Sequence, residues 1–236
     1  MASPRTLVLI PAHNEAANLP AVVAEIRECR PDLEILVVND GSTDRTSQVL
    51  EQLRVRWLGW PLRRGVGCAV RAGLRYAARL GFDVVVRIDA DGQHAAADIA
   101  RLLTRLHEDD VDAVLGSRYA TAYPGPEMLK RALATVVSTV ARRRVTDATS
   151  GFWALGPRAV TMLASHHPRG YPEPELHLFL GRNGLSLAEV SVRSRERLSG
   201  RSTLTVLRLL AAGARVLLAV VIVPLRQRVN PASPRP

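Results

Sequence analysis

Apolar and polar positions alternate in blocks along this 236-residue chain. Runs rich in β-branched and aliphatic residues at Thr6–Ile10, Glu34–Val38, Val55–Leu58, Val84–Ile88 and Ala113–Leu115 predict strands. Between them, apolar positions recurring with helical period predict helices at about Ala16–Glu28, Thr43–Leu53, Val66–Leu80 and Ala97–His107. This order predicts an α/β fold, a mostly parallel central sheet flanked by helices on both faces, with ligands at the carboxyl ends of the strands. Polar clusters fall at those ends: Pro11-Ala12-His13-Asn14-Glu15 after the first strand, Asn39-Asp40-Gly41-Ser42-Thr43-Asp44 after the second, and Gly116-Ser117-Arg118 after the fifth. One polar strand end is a turn; several in register read as a site.

The fourth strand end carries the most chemistry. Val84-Val85-Val86-Arg87-Ile88 runs into Asp89-Ala90-Asp91-Gly92-Gln93-His94. Alternate residues of an extended chain point the same way, so Asp89 and Asp91 are expected to converge just past the strand. Two hard oxygen donors suit Mg²⁺ or Mn²⁺, which complete their shells with water and substrate phosphates. Asp-x-Asp by itself is also compatible with a strand followed by a polar turn.

From about Leu7 to Leu204 the chain resembles the family 2 glycosyltransferases of the GT-A fold, particularly the dolichyl- and polyprenyl-phosphate sugar synthases. Carrying the likeness, in order, are Ile10–Glu15, Val37–Asp44, Arg64-Gly65-Val66-Gly67-Cys68-Ala69 with Gly73, Asp89–His94, Gly116-Ser117-Arg118, Asp147–Phe152 and Arg197–Ser202. The resemblance implies an inverting, metal-dependent transfer of a sugar from a GDP- or UDP-linked donor to a polyprenyl phosphate. It assigns Pro11, His13, Glu15, Val38, Asp40, Gly67, Asp89 and Gln93 to the donor, and Asp89 and Asp91 to the metal. Arg118, Arg131 and Arg197, with Ser202, would grip the acceptor phosphate and act in catalysis beside Asp91. Arginine's planar fork suits such contacts. A phosphate acceptor is anionic near neutral pH, so positioning and charge neutralisation would replace a general base. The glycines do not form a dinucleotide fingerprint, because the third comes only at Gly73.

The chain departs from the family pattern at Asn39, where Asp is common, and at Ala95-Ala96-Ala97, where a Pro is frequent. Trp153 and Thr203 also replace usual basic residues. A soluble acceptor on the same fold would need a base near Asp91, with Asp147 or Glu175 the candidates. From another class, a non-catalytic nucleotide-sugar or polyanion-binding module would use the basic surface alone.

Charge and composition narrow this further. The formal net charge is +10, and Lys130 is the only lysine. A basic surface attracts phosphorylated substrates, anionic membranes or nucleic acid; a chain with 4% aromatic residues and no recognisable module gives nucleic acid no support. Two cysteines, Cys29 and Cys68, form no disulfide framework. Thr6–Ile10 is too short for a secretory signal and meets Pro11. The apolar stretch Leu204–Leu225 is interrupted by Arg208 and Arg215 which, with Arg201, recur every seven residues. That spacing suits an amphipathic helix on an anionic membrane better than a spanning one. The expected organisation is a transferase domain over 1–203, an interfacial basic helix over 204–228 and a disordered tail over 229–236. Such a protein would sit peripherally at the cytoplasmic face of the cell membrane, an arrangement that leaves room for a separate membrane-spanning partner. Met128–Arg142 is expected to be helical, Arg142-Arg143-Arg144 to mark its end, and His166-His167 to lie in a loop.

Overall fold

The structure is a computed structural model that describes residues 4–118, 135, 137–139, 144–166 and 172–195. Its strands are β1 (Thr6–Ala12), β2 (Glu34–Asp40), β3 (Arg56–Trp60), β4 (Val84–Arg87), β5 (Ala113–Ser117), β6 (Trp153–Leu155) and β7 (Leu187–Ser191). They form one sheet in the order β3-β2-β1-β4-β6-β5-β7. Every pairing is parallel except those of β6, which runs antiparallel between β4 and β5. The helices are α1 (Leu19–Cys29), α2 (Thr46–Leu53), α3 (Val66–Arg79), α4 (Asp98–Glu108), α5 (Pro157–His166) and α6 (Pro172–Arg182).

The strands are apolar at successive positions because both sheet faces are covered. In β1, Val8 and Ile10 enter one core with Val23 and Ile26 of α1 and Ile99 and Leu102 of α4. Leu7 and Leu9 enter the other, with Val70 and Leu74 of α3 and Leu163 of α5. Gly73 permits this packing: a Cβ there would stand 2.2 Å from Leu9 Cδ1. Chain order reverses at β1, which lies between β2 and β4. In an open α/β sheet this switch point leaves a crevice at the carboxyl ends of the two strands.

The five expected strands and four expected helices are present with shifted ends. α1 begins at Leu19 rather than Ala16, because Asn14 turns with φ 58° and Glu15 caps the entry through bonds from the Asn18 and Leu19 N–H groups. β4 stops at Arg87, before Ile88. His166 is the last residue of α5 rather than part of a loop. The expected helix Met128–Arg142 falls mostly outside the described residues, although 135 and 137–139 are helical. His167 and the whole stretch 204–236 also lie outside them. Among the described residues no helix is long and apolar enough to cross a membrane.

Candidate active site

The loops after β1 and β2 are tied together by hydrogen bonds. Thr43 N–H donates to Asn14 Oδ1 (2.8 Å), and Asn14 N–H donates to Ser42 Oγ (2.9 Å). Asp44 accepts from the N–H groups of Ala16 and Thr46. Burial opposes its charged form, but these bonds and that from the Thr46 hydroxyl outweigh it and lower the Asp44 pKa. Asn39, the departure from the family pattern, is buried and uses both ends of its amide: it donates to Ser47 Oγ (2.9 Å) and accepts from Ser42 N–H (3.1 Å). An Asp could accept both bonds but could not donate to Ser47.

Asp40 anchors the loop after β3. Its buried carboxylate accepts from Trp60 Nε1 (3.0 Å), Arg64 N–H (2.7 Å) and Gly65 N–H (2.7 Å). Its carbonyl meets His13 Nδ1 at 2.8 Å. Asp40 therefore shapes the crevice by holding other residues. Glu15, half-buried, accepts from Asn18 Nδ2. Pro11 pairs with Val38 across β1 and β2. Val38 corrects the sequence reading: its side chain is 0% exposed and lies in the core with Leu36 and Leu74, so it packs the sheet and offers a ligand no surface. Gly67 lies buried in the first turn of α3.

At the end of β4 the two carboxylates differ. Asp89 Oδ1 lies 3.1 Å from Arg87 Nη2, and Oδ2 lies 3.7 Å from His94 Nε2. Burial opposes its charge, but the Arg87 guanidinium and the His94 ring prevail and hold Asp89 well below the usual carboxylate range, with its side chain 34% exposed. Asp91 is buried and accepts the N–H of Gln93 (3.0 Å). The turn at Gly151 lies directly on Asp89, where a Cβ would meet Oδ2 at 2.4 Å. Among the described residues no group of three or more His, Cys, Asp or Glu could hold a metal by itself. Two anionic carboxylates with a substrate diphosphate and water do suit Mg²⁺ or Mn²⁺.

After β5, Arg118 faces inward. Its Nε and Nη2 grip Asp147 at 2.7 and 2.9 Å, and Nη2 also reaches Thr149 Oγ1 (2.8 Å). The Arg118 side chain is 19% exposed, that of Asp147 1%. Burial raises the Asp147 pKa, but the bonds and charge of Arg118 lower it further, so the carboxylate stays ionised. The open phosphate contact read for Arg118 is thus modified: its guanidinium plane is clamped by a buried partner. Asp147, one of the two residues read as a candidate base for a soluble acceptor, is covered and tied to Arg118. Beside it, Thr146 donates its N–H to Glu189 Oε1 (2.9 Å), and Ser117 Oγ meets Thr146 Oγ1 (2.6 Å). Burial raises the Glu189 pKa, assisted by Asp147 and opposed by the Thr146 bonds and Arg144.

Arg131, Arg197 and Ser202 lie outside the described residues, as does the side chain of Glu175. The described chain nevertheless reaches Arg195, whose N–H donates to Gln93 O (2.9 Å), two residues before Arg197. His94 is further tied to this segment through a bridge to Ser194, and its ring stacks on Phe152 at 5.0 Å. Sequence reasoning missed Arg87, His94, Gly151 and Glu189 as parts of the site. A charged residue inside the apolar run of β4 was the available signal for Arg87, and His94 closes the Asp89–His94 motif; Gly151 and Glu189 become neighbours only through tertiary pairing.

Comparison with known proteins agrees with this geometry. Polyprenol monophosphomannose synthase of Mycolicibacterium smegmatis is 32% identical over 219 residues, covering 85% of this chain and 81% of that protein. Undecaprenyl-phosphate mannosyltransferase of Micrococcus luteus is 30% identical over 220 residues, covering 85% and 88%. A UDP-N-acetylglucosamine–dolichyl-phosphate N-acetylglucosaminyltransferase of Methanococcus voltae is 28% identical over 219 residues, covering 82% and 87%. The fold is also that of glucosyl-3-phosphoglycerate synthase from Mycobacterium tuberculosis, solved with Mn²⁺, UDP and phosphoglyceric acid, with a TM-score of 0.71 at 22% identity over 93% of this chain and 78% of that one. The model of glycosyl transferase family 2 matches residues 7–160, and with its strand-end loops, Asp-x-Asp turn and GT-A sheet the chain belongs to that family.

Proposed function

We propose that this glycosyltransferase moves a sugar from a GDP- or UDP-linked donor to a polyprenyl phosphate at the cytoplasmic face of the membrane, with inversion at the anomeric carbon. The observation that carries the acceptor class is Asp147. A hydroxyl acceptor needs a base; of the two candidates, Asp147 is buried under Arg118 and tied to it, and the side chain of Glu175 lies outside the described residues. A phosphate monoester arrives already deprotonated, so its oxygen attacks the anomeric carbon as the bond to the nucleoside diphosphate breaks. The three relatives support the same class: two are named for mannose and one for N-acetylglucosamine, and all three names carry a phosphorylated polyprenol or dolichol.

In this reading His13, Glu15 and Pro11 line the donor crevice, whose floor Asp40 holds, and Gln93 lies near the diphosphate. Asp89 and Asp91 would hold Mg²⁺ or Mn²⁺, which would supply charge neutralisation for the departing diphosphate. Arg118, oriented by Asp147, acts on the acceptor phosphate together with Arg131, Arg197 and Ser202. The tail 204–228 attaches the protein to an anionic membrane, and a membrane-spanning partner is compatible with that arrangement.

The test is a matrix of nucleotide sugars, GDP-mannose first, against polyprenyl phosphate and a soluble phosphorylated metabolite such as phosphoglycerate. Sugar appearing in the lipid fraction only with polyprenyl phosphate supports the proposal. Transfer to the soluble acceptor alone contradicts it.

A further inference from the structure

Between Glu51 and Asp83 the chain carries seven arginines and no Asp or Glu. Trp57, Leu62, Val66 and Leu80, the large apolar side chains exposed among the described residues, all fall inside this segment, with Leu62 at 75%. The segment forms β3 at the sheet edge, the loop leading to α3, and α3 itself.

α3 buries Val70, Leu74 and Ala77 against the sheet and exposes Arg75 and Arg79, one turn apart, while Arg71, a turn earlier, is half-buried toward α5. Arg71 donates to Ser165 O, while Arg75 and Arg79 form no ion pair with a described carboxylate. Like charges at this spacing repel and cost helix stability. An anionic partner outside the molecule turns that cost into attraction.

We propose that this surface, from Leu62 down the outer face of α3 to Leu80, is a membrane-docking face for anionic lipid, separate from the tail. Basic side chains flanked at the two ends of the helix by exposed aliphatic ones fit the headgroup boundary, where charge meets phosphate and apolar groups leave water. A nucleic-acid backbone offers the arginines a partner but gives Leu62, Val66 and Leu80 nothing. Leu62 and Val66 stand at the carboxyl end of the sheet, as the candidate site does, so docking here brings the site's rim to the depth of a lipid-borne phosphate. The inference rests on the polyprenyl-phosphate reading for its biological sense, but its physical basis is independent of it.

The experiment is flotation of the full chain with phosphatidylcholine vesicles, with and without about one-third phosphatidylglycerol, comparing wild type, Arg75→Ala/Arg79→Ala and Leu62→Ser. An arginine near an anionic surface contributes about fivefold to partitioning, so the double variant is expected to bind about twenty-five-fold more weakly. Leu62→Ser is expected to lose about fivefold. Transfer to a short-chain, water-soluble prenyl phosphate stays unchanged in both variants, which also reports that they are folded. Partitioning equal to wild type in both variants overturns the docking face. So does loss of binding to a homopolymeric RNA while vesicle binding is intact. Arginine-dependent vesicle binding without transfer to any prenyl phosphate leaves the face standing and removes the functional reading instead.

Discussion

The two sides of the candidate site are held together by different physics. On the donor side, the loops after β1, β2 and β3 are joined mainly by backbone N–H groups donating to Asn14, Asp40 and Asp44. On the side of Arg118, Asp147 is buried against that guanidinium, and at the end of β4, between the two sides, the partly exposed Asp89 pairs with the buried Arg87. Loss of one backbone hydrogen bond to a carboxylate costs about 1.5–3 kcal/mol, whereas breaking a buried ion pair strands a charge and costs about 3–5 kcal/mol. The donor side is therefore built to tolerate change in single bonds, and the acceptor side to hold its charges in one geometry.

The largest effect is expected at Asp91. Asp91→Asn is expected to lower kcat/KM by more than about a hundredfold, since it removes one of the two carboxylates that suit a cation. Circular dichroism and the urea midpoint should stay close to wild type. A variant that retains wild-type activity in chelator ends the metal assignment.

Next come substitutions that set the two sides against each other. Arg118→Ala is expected to cost about 3–5 kcal/mol of stability by urea unfolding, because Asp147 keeps its charge without its partner. Asp40→Asn should cost about 1–2 kcal/mol and act chiefly on donor KM, by loosening the loop at Arg64 and Gly65. Equal losses in the two variants would erase the proposed difference. The pH dependence follows from Asp147. Its folded pKa is depressed, so its contribution is complete above the ordinary carboxylate range and disappears as pH falls below about 4. Arg118→Ala should accordingly narrow its stability gap to wild type in acid.

Two glycines separate chemistry from packing. Gly151→Ala places a methyl group on the Asp89 carboxylate, and Gly73→Ala places one on Leu9. Each is expected to cost about 1–3 kcal/mol from overpacking. Only Gly151→Ala should also lower turnover beyond that loss, measured under conditions where both variants are fully folded.

Much of the donor half was legible in the sequence, because the strands there are apolar runs that stop abruptly at polar clusters. The acceptor half was less so. β6 has only three residues, Trp153–Leu155, too few to show a period. β7 is partly buried at the sheet edge and lacks the apolar run of the central strands. Arg118 and Asp147 stand 29 residues apart, and only the β5–β6 pairing brings their segments together. Val38 shows the opposite failure: it adjoins the Asn39-Asp40 motif, yet it belongs to a strand covered on both faces and its side chain lies in the core. At Asp89 the carboxylate was legible, but its pairing with Arg87 and the Gly151 turn upon it were not.

The smallest effect is expected at Glu189. Its folded pKa is raised, so the stability it contributes is present in acid and is lost as pH rises through that value. Glu189→Gln should therefore be stabilising at pH 7 by no more than about 1 kcal/mol, with the gain gone near pH 4. Thermal unfolding at the two pH values measures it.

The central claim is that the acceptor side is built for an anionic oxygen that needs no base. Its most direct test compares polyprenyl phosphate with the polyprenol of equal chain length, at saturating donor and divalent cation. The account predicts transfer to the phosphate and none measurable to the alcohol, with Arg118→Lys lowering kcat/KM for the phosphate by about tenfold through loss of the planar fork. Comparable transfer to the alcohol would contradict it, because the enzyme would then have a base and no need of the Arg118–Asp147 clamp.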